Sequence, residues 1–340
     1  MRMATDIKTQ QRPEALDSTR ARHETKIRFL KTETCRFVSE HVLVSIDRAM
    51  ERAGVPSFLN RQNGADVFLA KALSKLSLVW NVRGVSSQPV FVALMGLSES
   101  RTIPFSYWTE IFPYCFDCWP NEYGRWTSFF QRHRVRLAFF SARQSAEHFA
   151  AELPAMQAVW LPEATDPLDY CASRSLSERD IDVLELGRKY DQYHDKIVDS
   201  LARAGRCHLF ERVKGEIVFP DRAGLIAGMG RSKISVCFPS SQTHPERSGS
   251  VETATHRYFE SMASKCLILG HAPRELTDLF GYNPVIEVRW GSECAQIEDV
   301  LRNPGSYQDL IERNYCRLLE VGTWESRIAT MLDALRAQLI

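Results

Sequence analysis

SVETATHRYFESMASKCLILGHAPRELTDLFGYNPVIEV, residues 250–288, alternates two short apolar runs with two segments of helical character. The runs CLILG (266–270) and PVIEV (284–288) are aliphatic and bounded by turn-forming residues, which predicts two buried strands. Residues 273–280 between them form a predicted helix. Two strands joined in this way are expected to pair in parallel, because a parallel crossover needs a long connection that is usually helical.

The same alternation extends upstream to about residue 181. Strands are predicted in IDVLELG (181–187), weakly in HLFERV (208–213) and in KISVCFP (233–239), with helices ending at about Gly205 and Leu225 between them. Strands that alternate with helices favour a parallel sheet covered on both faces. Residues 180–320 are therefore expected to form one Rossmann-like domain.

The first half carries a related pattern. Apolar residues recur at helical spacing over 32–52, and strands are predicted in PVFVALMG (89–96), VRLAFFSA (135–142) and AVWLPEATD (158–166), with a helix at 143–153. A polar break at 169–180 separates the halves, so residues 31–170 are expected to form a second Rossmann-like domain. The polar residues 1–30 are expected to be a mobile arm, and residues 321–340 a helix with one buried stripe.

Composition limits the classes of function. With 43 basic and 42 acidic side chains in 340 residues, the net charge gives no argument for nucleic acid or an anionic membrane as partner. The longest apolar run, 90–97, is too short to cross a bilayer and no apolar signal segment is evident, so a cytoplasmic location is expected. The nine scattered cysteines are expected to be reduced thiols, with metal or redox use of the C-x-x-C pair Cys115 and Cys118 as the weaker alternative.

Ligands of open α/β sheets bind beyond the carboxyl ends of the strands, so residues that follow strands are the first candidates. Gly187, Arg188 and Lys189 follow the strand that opens the second half. A glycine permits a sharp turn, and two cations at that position can neutralise a diphosphate. The alternative is a solvated charged turn before a helix.

A second polar set lies in THPERSGS (243–250), directly after the strand at 233–239. His244 and Arg247 are potential hydrogen-bond donors, and Gly249 precedes a helix whose free N–H groups can bind a phosphate. The alternative is a long surface loop.

A third set consists of Glu252, Arg257 and Glu260, with the two glutamates eight positions apart. Glu252 is expected in the loop and Glu260 in the helix that follows. A carboxylate can accept two hydrogen bonds at once, which suits the paired hydroxyls of ribose or hexose. Arg257 lies between the glutamates, where it could reach a phosphate. The alternative is salt bridging on a helix surface.

The segment IPFSYWTEIFPYCFDCWPNEYGRWTSFF (103–130) combines aromatic rings with carboxylates. Rings pack against the C–H faces of sugars while acids accept from hydroxyls, so Glu110, Asp117, Trp119 and Glu122 are candidate contacts for a carbohydrate or amphipathic acceptor. The alternative is core packing with solvated acids.

The residues 233–264, KISVCFPSSQTHPERSGSVETATHRYFESMAS, and the strands after them resemble the donor-binding region of the bacterial glycosyltransferase group 1 superfamily, near its CgeB-like branch. The resemblance implies the GT-B fold, two Rossmann-like domains facing across a cleft, with a last helix that returns to the N-terminal domain. By the superfamily pattern, Glu252 and Glu260 contact the donor sugar and the nucleotide ribose, and Arg188 and Lys189 hold the diphosphate. The sequence departs from that pattern because TATHRYF lacks glycine and because Lys189 is not followed by glycine.

The sequence therefore predicts a glycosyltransferase that moves a sugar from a nucleotide sugar, UDP- or GDP-linked, to a glycan or lipid-linked acceptor. Glu252 and Arg188 are the predicted catalytic residues, and the resemblance implies retention of configuration. No metal is expected, because the DID triplet at 180–182 begins a strand. Neither a cofactor nor nucleic acid is expected, while peripheral contact with a membrane face stays open. The alternatives are a non-catalytic scaffold that binds a nucleotide or glycan, and a sugar-nucleotide epimerase.

Overall fold

The computed structural model describes most of the chain after residue 26. The described residues are 27–31, 41–60, 64, 65, 68, 72, 88–103, 105–107, 109–170, 174–187, 189–213 and 215–339. Arg188 and the region 32–40 lie outside them, as does most of the predicted arm. Within them, no helix is both long and apolar enough to cross a membrane.

The first sheet has six parallel strands in the order β2-β1-β3-β4-β5-β6. Its strands are β1 (Arg28–Leu30), β2 (Ser57–Phe58), β3 (Val90–Met95), β4 (Ile111–Phe116), β5 (Leu137–Phe140) and β6 (Gln157–Trp160), and the helices α1 (His41–Arg52), α2 (Tyr123–Arg132) and α3 (Arg143–Glu152) accompany them. Separate apolar cores lie on its two faces. Strands buried on both sides need no polar alternation, which explains their continuous apolar runs.

Three sequence expectations for this half need correction. Residues 28–30, assigned to the mobile arm, form β1 and pair in parallel with both β2 and β3. Three residues are too few to show a strand period, and Phe29 is held by tertiary burial at 1% exposure. The aromatic segment contains β4, whose six residues are all buried in the middle of the sheet. The third predicted strand is also shorter, since β6 ends at Trp160.

The second sheet has five parallel strands in the order β11-β10-β9-β7-β8. These are β7 (Ile181–Leu184), β8 (His208–Leu209), β9 (Ser232–Cys237), β10 (Leu267–Gly270) and β11 (Ile286–Glu287). The longer helices among its described residues are α4 (Asp191–Arg203), α5 (Arg222–Gly230), α6 (His256–Ala263), α7 (Arg274–Phe280), α8 (Glu293–Arg302) and α9 (Gln308–Val321), and two single-turn helices, Ser240–Thr243 and Pro245–Ser248, follow β9. Gly270 pairs with Cys237 so closely that an added Cβ would lie 1.9 Å from the Cys237 carbonyl oxygen. Only glycine fits there.

The last helix, α10 (Trp324–Leu339), returns to the first domain and packs beside α1. Trp324, Met331 and Leu335 are fully buried in the same core as strands β3 to β5. Among the described residues, the segments around Thr165 and Gly322 both pass between the domains. They are hydrogen-bonded to each other, since the Thr165 N–H donates to the Gly322 carbonyl at 3.0 Å. The expected pair of Rossmann-like domains with a returning helix is confirmed.

The seven described cysteines are all free. Cys115 ends up inside β4 and Cys118 just after it, and both are buried. Burial raises the pKa of each thiol well above its ordinary value. A thiol kept protonated in this way is a poor nucleophile and metal ligand, so the C-x-x-C pair serves packing.

Candidate active site

A cavity of about 430 Å³ lies between the two sheets, at the carboxyl ends of β4, β6 and β7. The N-terminal domain contributes Val42, Met95, Asp117 and Glu163. The C-terminal domain contributes Leu186, Gly187, Glu211, Glu216, Ile217, Val218, Phe219, Leu225, Thr255, His256, Arg257 and Glu260. A site at the carboxyl ends of parallel strands is where open α/β sheets bind ligands.

The C-terminal wall contains a turn and a helix start that suit an anion. Gly187 has φ +73, a left-handed conformation that glycine adopts without strain. Helix α6 begins at His256, and the side chain of its preceding residue Thr255 does not cap it. The helix dipole at such a start attracts negative charge. Arg257 adds a cation at the same place.

Glu260, one turn further along α6, is almost completely buried, with 3% exposure. Its Oε1 accepts hydrogen bonds from the Tyr170 hydroxyl at 2.8 Å and from Nη1 of Arg222 at 2.7 Å. Burial raises the pKa of Glu260, but interactions with His256, Arg257 and Arg222 lower it by more, to far below its ordinary value. The carboxylate therefore stays ionised.

The N-terminal wall contributes two acids. Asp117 follows β4 directly and has φ +50, a left-handed conformation that costs a non-glycine residue roughly 1–3 kcal/mol. Glu163 follows β6, and its Oε2 accepts the N–H of His256 at 2.8 Å. Burial and the nearby charge of Asp117 raise the pKa of Glu163 to about 8. At neutral pH Glu163 therefore carries a proton.

Solved glycosyltransferases share this architecture. A glycosyltransferase from Rickettsia africae ESF-5 superposes with a TM-score of 0.58 at 9% identity, over 92% of this chain and 98% of the other. HepE of Anabaena, solved with UDP and glucose, gives 0.58 at 11% identity over 92% and 99%. The sucrose-phosphate synthase of Thermosynechococcus elongatus gives 0.59 at 12% identity over 92% and 98%. The chain has the GT-B fold. No protein-family model matches the sequence, and no curated protein matches it either.

The GT-B cleft brings together residues from two of the three candidate sets in the second half. Gly187, Arg257 and Glu260 all line the cavity. Lys189 contacts Glu211, another residue of the cavity wall: its Nζ donates to the Glu211 carbonyl at 3.0 Å. The same Nζ lies 4.8 Å from the ring centroid of Phe210, at cation–π distance. Arg188 lies outside the described residues.

Glu252 is in the loop before α6, as expected, but it is not among the residues that line the cavity. Its Oε1 lies 3.3 Å from Nε2 of His271, whose Nδ1 lies 3.1 Å from Glu287. The two carboxylates, Glu287 first, raise the pKa of His271. Glu252 thus belongs to a polar chain beside the cleft in this structure.

The second set, after β9, docks against the N-terminal domain. Arg247 and Gly249 are exposed, His244 is half-buried, and none of the three lines the cavity. Gly249 adopts φ +55 beside Pro120, and the Gln144 amide donates to the neighbouring Ser250 carbonyl at 3.4 Å. The structure therefore places this loop at the interface between the domains.

The four residues predicted to contact the acceptor lie in different parts of the structure. Asp117 lies in the cavity. Glu110 precedes β4, at the end of the strand away from the cavity, and forms a bidentate ion pair with Arg136. Trp119 is buried against Ala142 and Val251, where it joins the two domains. Glu122 pairs with Arg125 on the surface. Packing thus withdraws Trp119 and Glu110 from any acceptor.

Sequence reasoning missed Glu163, Arg222 and Tyr170. Arg222 lies in α5, far along the chain from the glutamates, and nothing in its local pattern marks it. Glu163 lies just after the end of β6, and a position after a strand is a signal for a ligand contact. The predicted strand, 158–166, includes Glu163 and so hides that signal. Tyr170 lies at the crossing between domains, so its role depends on how the domains dock.

Within the described part of the chain, one group has the ligand types and proximity of a metal site: Glu185, His194 and His208, all buried. Oε2 of Glu185 is hydrogen-bonded to both rings, at 2.9 Å from Nε2 of His208. Two imidazoles and a carboxylate suit Zn²⁺, but these atoms already satisfy one another and would have to move apart to admit an ion. Glu185 directly follows β7, so the cluster ties this strand end to the helix and strand that carry the two histidines.

Proposed function

We propose that this protein is a glycosyltransferase that moves a sugar from a UDP- or GDP-sugar to a glycan or lipid-linked acceptor. One observation carries the proposal: the Gly187 turn, the start of α6 and the ionised Glu260 line a single cavity to which the N-terminal domain also contributes. The GT-B fold, shared with a protein solved with UDP-glucose, supports it as analogy.

In this proposal the cavity residues bind the base, the ribose and the diphosphate of the nucleotide sugar in turn. The apolar loop Ile217, Val218 and Phe219 offers a surface for the base, and Glu260 accepts from the ribose hydroxyls. The start of α6, with Arg257, Lys189 and Arg188, holds the diphosphate.

In this proposal Glu252 moves from His271 to the transferred sugar when the donor binds, while Arg188 stabilises the leaving diphosphate. Glu252 and Arg188 are thus the catalytic residues that we propose. We propose that His244, Arg247 and Gly249, which lie on the interdomain loop outside the cavity, reach the donor when it binds, and that Asp117, which lines the cavity, faces the acceptor.

We propose retention of configuration without a metal ion. The cations and the helix dipole would then neutralise the charge that develops on the diphosphate. Free thiols fit a reducing compartment, so the cytoplasm is the location that we propose. Peripheral contact with a membrane would follow if the acceptor is lipid-linked.

Thermal shift against UDP-, GDP-, CMP- and dTDP-sugars tests the donor site directly. One donor should raise the melting temperature of the wild type, and Arg188→Ala, Arg257→Ala and Glu260→Gln should each remove that rise. Arg274→Ala is the matched control, because Arg274 is exposed on α7 outside the cavity. No shift with any donor would overturn the proposal.

Turnover separates the enzyme from its alternatives. The donor that binds is incubated with candidate acceptors and the release of free nucleotide is followed. Release that depends on an acceptor and falls at least tenfold in Glu252→Gln supports glycosyl transfer. Binding with no release favours the scaffold, and conversion of the donor into a different nucleotide sugar favours the epimerase.

A further inference from the structure

Glu163 reaches across the cleft to the helix start where the proposed function places the diphosphate. It follows β6 on the chain that crosses between the domains, and its Oε2 accepts the His256 N–H at 2.8 Å. This N–H group is the first backbone N–H of α6. The carboxyl group therefore lies at the start of α6, in a cavity that Gly187 and Arg257 also line.

The surroundings of Glu163 contain more acids than bases. Asp117 faces it from the end of β4, Glu260 and His256 from α6, and Glu275 from α7. Glu211 and Glu216 line the same cavity from the loop after β8, and Arg257 and His256 are its basic members. A diphosphate that enters this cavity meets several carboxylates, so its binding depends on how many of them are charged.

Glu163 is held neutral at pH 7 in this set, and the pKa of Glu275 is raised as well. Burial comes first among the causes that raise its pKa to about 8, and the charge of Asp117 comes second. Glu260, in contrast, is ionised and neutralised by Arg222. A protonated carboxyl group can donate its O–H, which an ionised one cannot.

We propose, on the basis of the function proposed above, that Glu163 is a donor-binding residue that acts in its protonated form. Its Oε2 keeps the His256 N–H, while the proton on Oε1 is donated to a diphosphate oxygen of the nucleotide sugar. The N-terminal domain then contacts the phosphate as well as the acceptor. Loss of this proton replaces a hydrogen bond to the phosphate with a repulsion between like charges.

The proposal predicts that donor binding weakens as pH rises. A ligand that needs one proton on the protein can lose at most about tenfold in affinity per pH unit. The pKa of Glu260 lies far below its ordinary value, so that carboxylate is ionised throughout this range, and the arginines stay charged as well. A pyrophosphate diester does not titrate in this range either. Above pH 8 the affinity should therefore follow Glu163.

Isothermal titration of UDP-glucose at pH 7, 8 and 9 tests this. Wild type should lose about tenfold in affinity between pH 7 and 9. Glu163→Gln, whose amide is neutral and still donates, should bind within a few-fold of wild type at pH 7 and show no loss at pH 9. Glu163→Asp would keep the ionisable group, and Asp333→Asn, on the exposed side of α10, serves as the control that should behave as wild type.

A wild type whose affinity does not change with pH, or a Glu163→Gln that loses affinity as wild type does, would overturn this inference alone. If neither UDP-glucose nor another nucleotide sugar binds the wild type, the proposed function and this inference fall together. Circular dichroism of each variant at pH 7 and 9 shows whether it is folded, so a misfolded Glu163→Gln is replaced by Glu163→Met, which should bind more weakly than wild type at pH 7 and without pH dependence.

Discussion

Arg222 and Glu260 form a buried ion pair between α5 and α6, with Nη1 2.7 Å from Oε1. The Tyr170 hydroxyl donates to the same oxygen, so a residue of the interdomain crossing completes the pair. The carboxylate expected to hold the ribose is therefore also a structural centre of the cleft.

We expect Glu260→Gln to lower the free energy of unfolding by about 1–3 kcal/mol, because Arg222 loses its charged partner in a mostly buried position. Urea denaturation measures the change. The Arg222→Gln and Glu260→Gln changes should be non-additive, with a coupling energy of about 0.5–3 kcal/mol in a double-mutant cycle. Additive changes in the free energy of unfolding would contradict a stabilising interaction between Arg222 and Glu260.

Glu275 joins the domains because its carboxylate accepts one backbone N–H from each of them. Its Oε2 accepts the Arg143 N–H at 2.8 Å and its Oε1 accepts the Ala254 N–H at 2.6 Å. Glu275→Ala should cost about 1–3 kcal/mol, since both buried donors lose their partner. Asp278→Ala is the control, because Asp278 pairs with Arg143 at the surface and should cost about 1 kcal/mol or less. Equal losses in chemical denaturation would count against the bridge.

The ring of Trp324 anchors α10 to the first domain by packing, without a side-chain hydrogen bond. It is fully buried against Tyr114, with centroids 6.5 Å apart, and its Nε1 has no hydrogen-bond partner. Trp324→Ala should cost about 3–5 kcal/mol through the cavity it leaves. Trp324→Phe removes an unsatisfied donor and should lose less. A denaturation midpoint equal for the two variants would contradict this account.

Asp117 holds a left-handed conformation at the cavity, and Arg134, with φ +45, holds a similar one on the surface. Arg134→Gly should stabilise the protein by about 1 kcal/mol or less and leave turnover unchanged. Asp117→Gly should change stability in the same direction yet reduce turnover at least tenfold, because the carboxylate is lost. Melting temperature and the rate of nucleotide release are measured together. A fully active Asp117→Gly would remove Asp117 from the acceptor site.

The raised pKa of Glu163 makes stability depend on pH. With a pKa of about 8 in the folded protein, Glu163 keeps a proton that the unfolded chain releases near its ordinary value, about 4.3. Its contribution is therefore fully present below pH 4 and is lost as pH rises towards 8, at no more than about 1.4 kcal/mol per pH unit. Glu163→Gln should flatten this part of the curve relative to wild type. Parallel curves from urea unfolding at pH 5 to 8 would contradict it.

Most of the fold could be predicted because strand and helix patterns are local. The strands β3, β5, β7, β9, β10 and β11 lie in short segments that are mostly apolar and bounded by turn signals, and the structure has each of them. The pattern failed at β1, three residues long, and at β4, where the aromatic residues suggested a ligand surface. Assignment to the CgeB-like branch stays a prediction.

The sequence by itself determined the two parallel α/β layers, the glycine turn after β7 and the placing of Glu260 on the helix before β10, since these follow from the order of residues along one element. Tertiary structure decided which side chains share the cleft. Glu163 meets His256 across 93 positions and Glu260 meets Arg222 across 38. Such contacts depend on how two domains dock, and docking fixes the burial and neighbouring charge that hold one carboxyl group neutral and keep the other ionised.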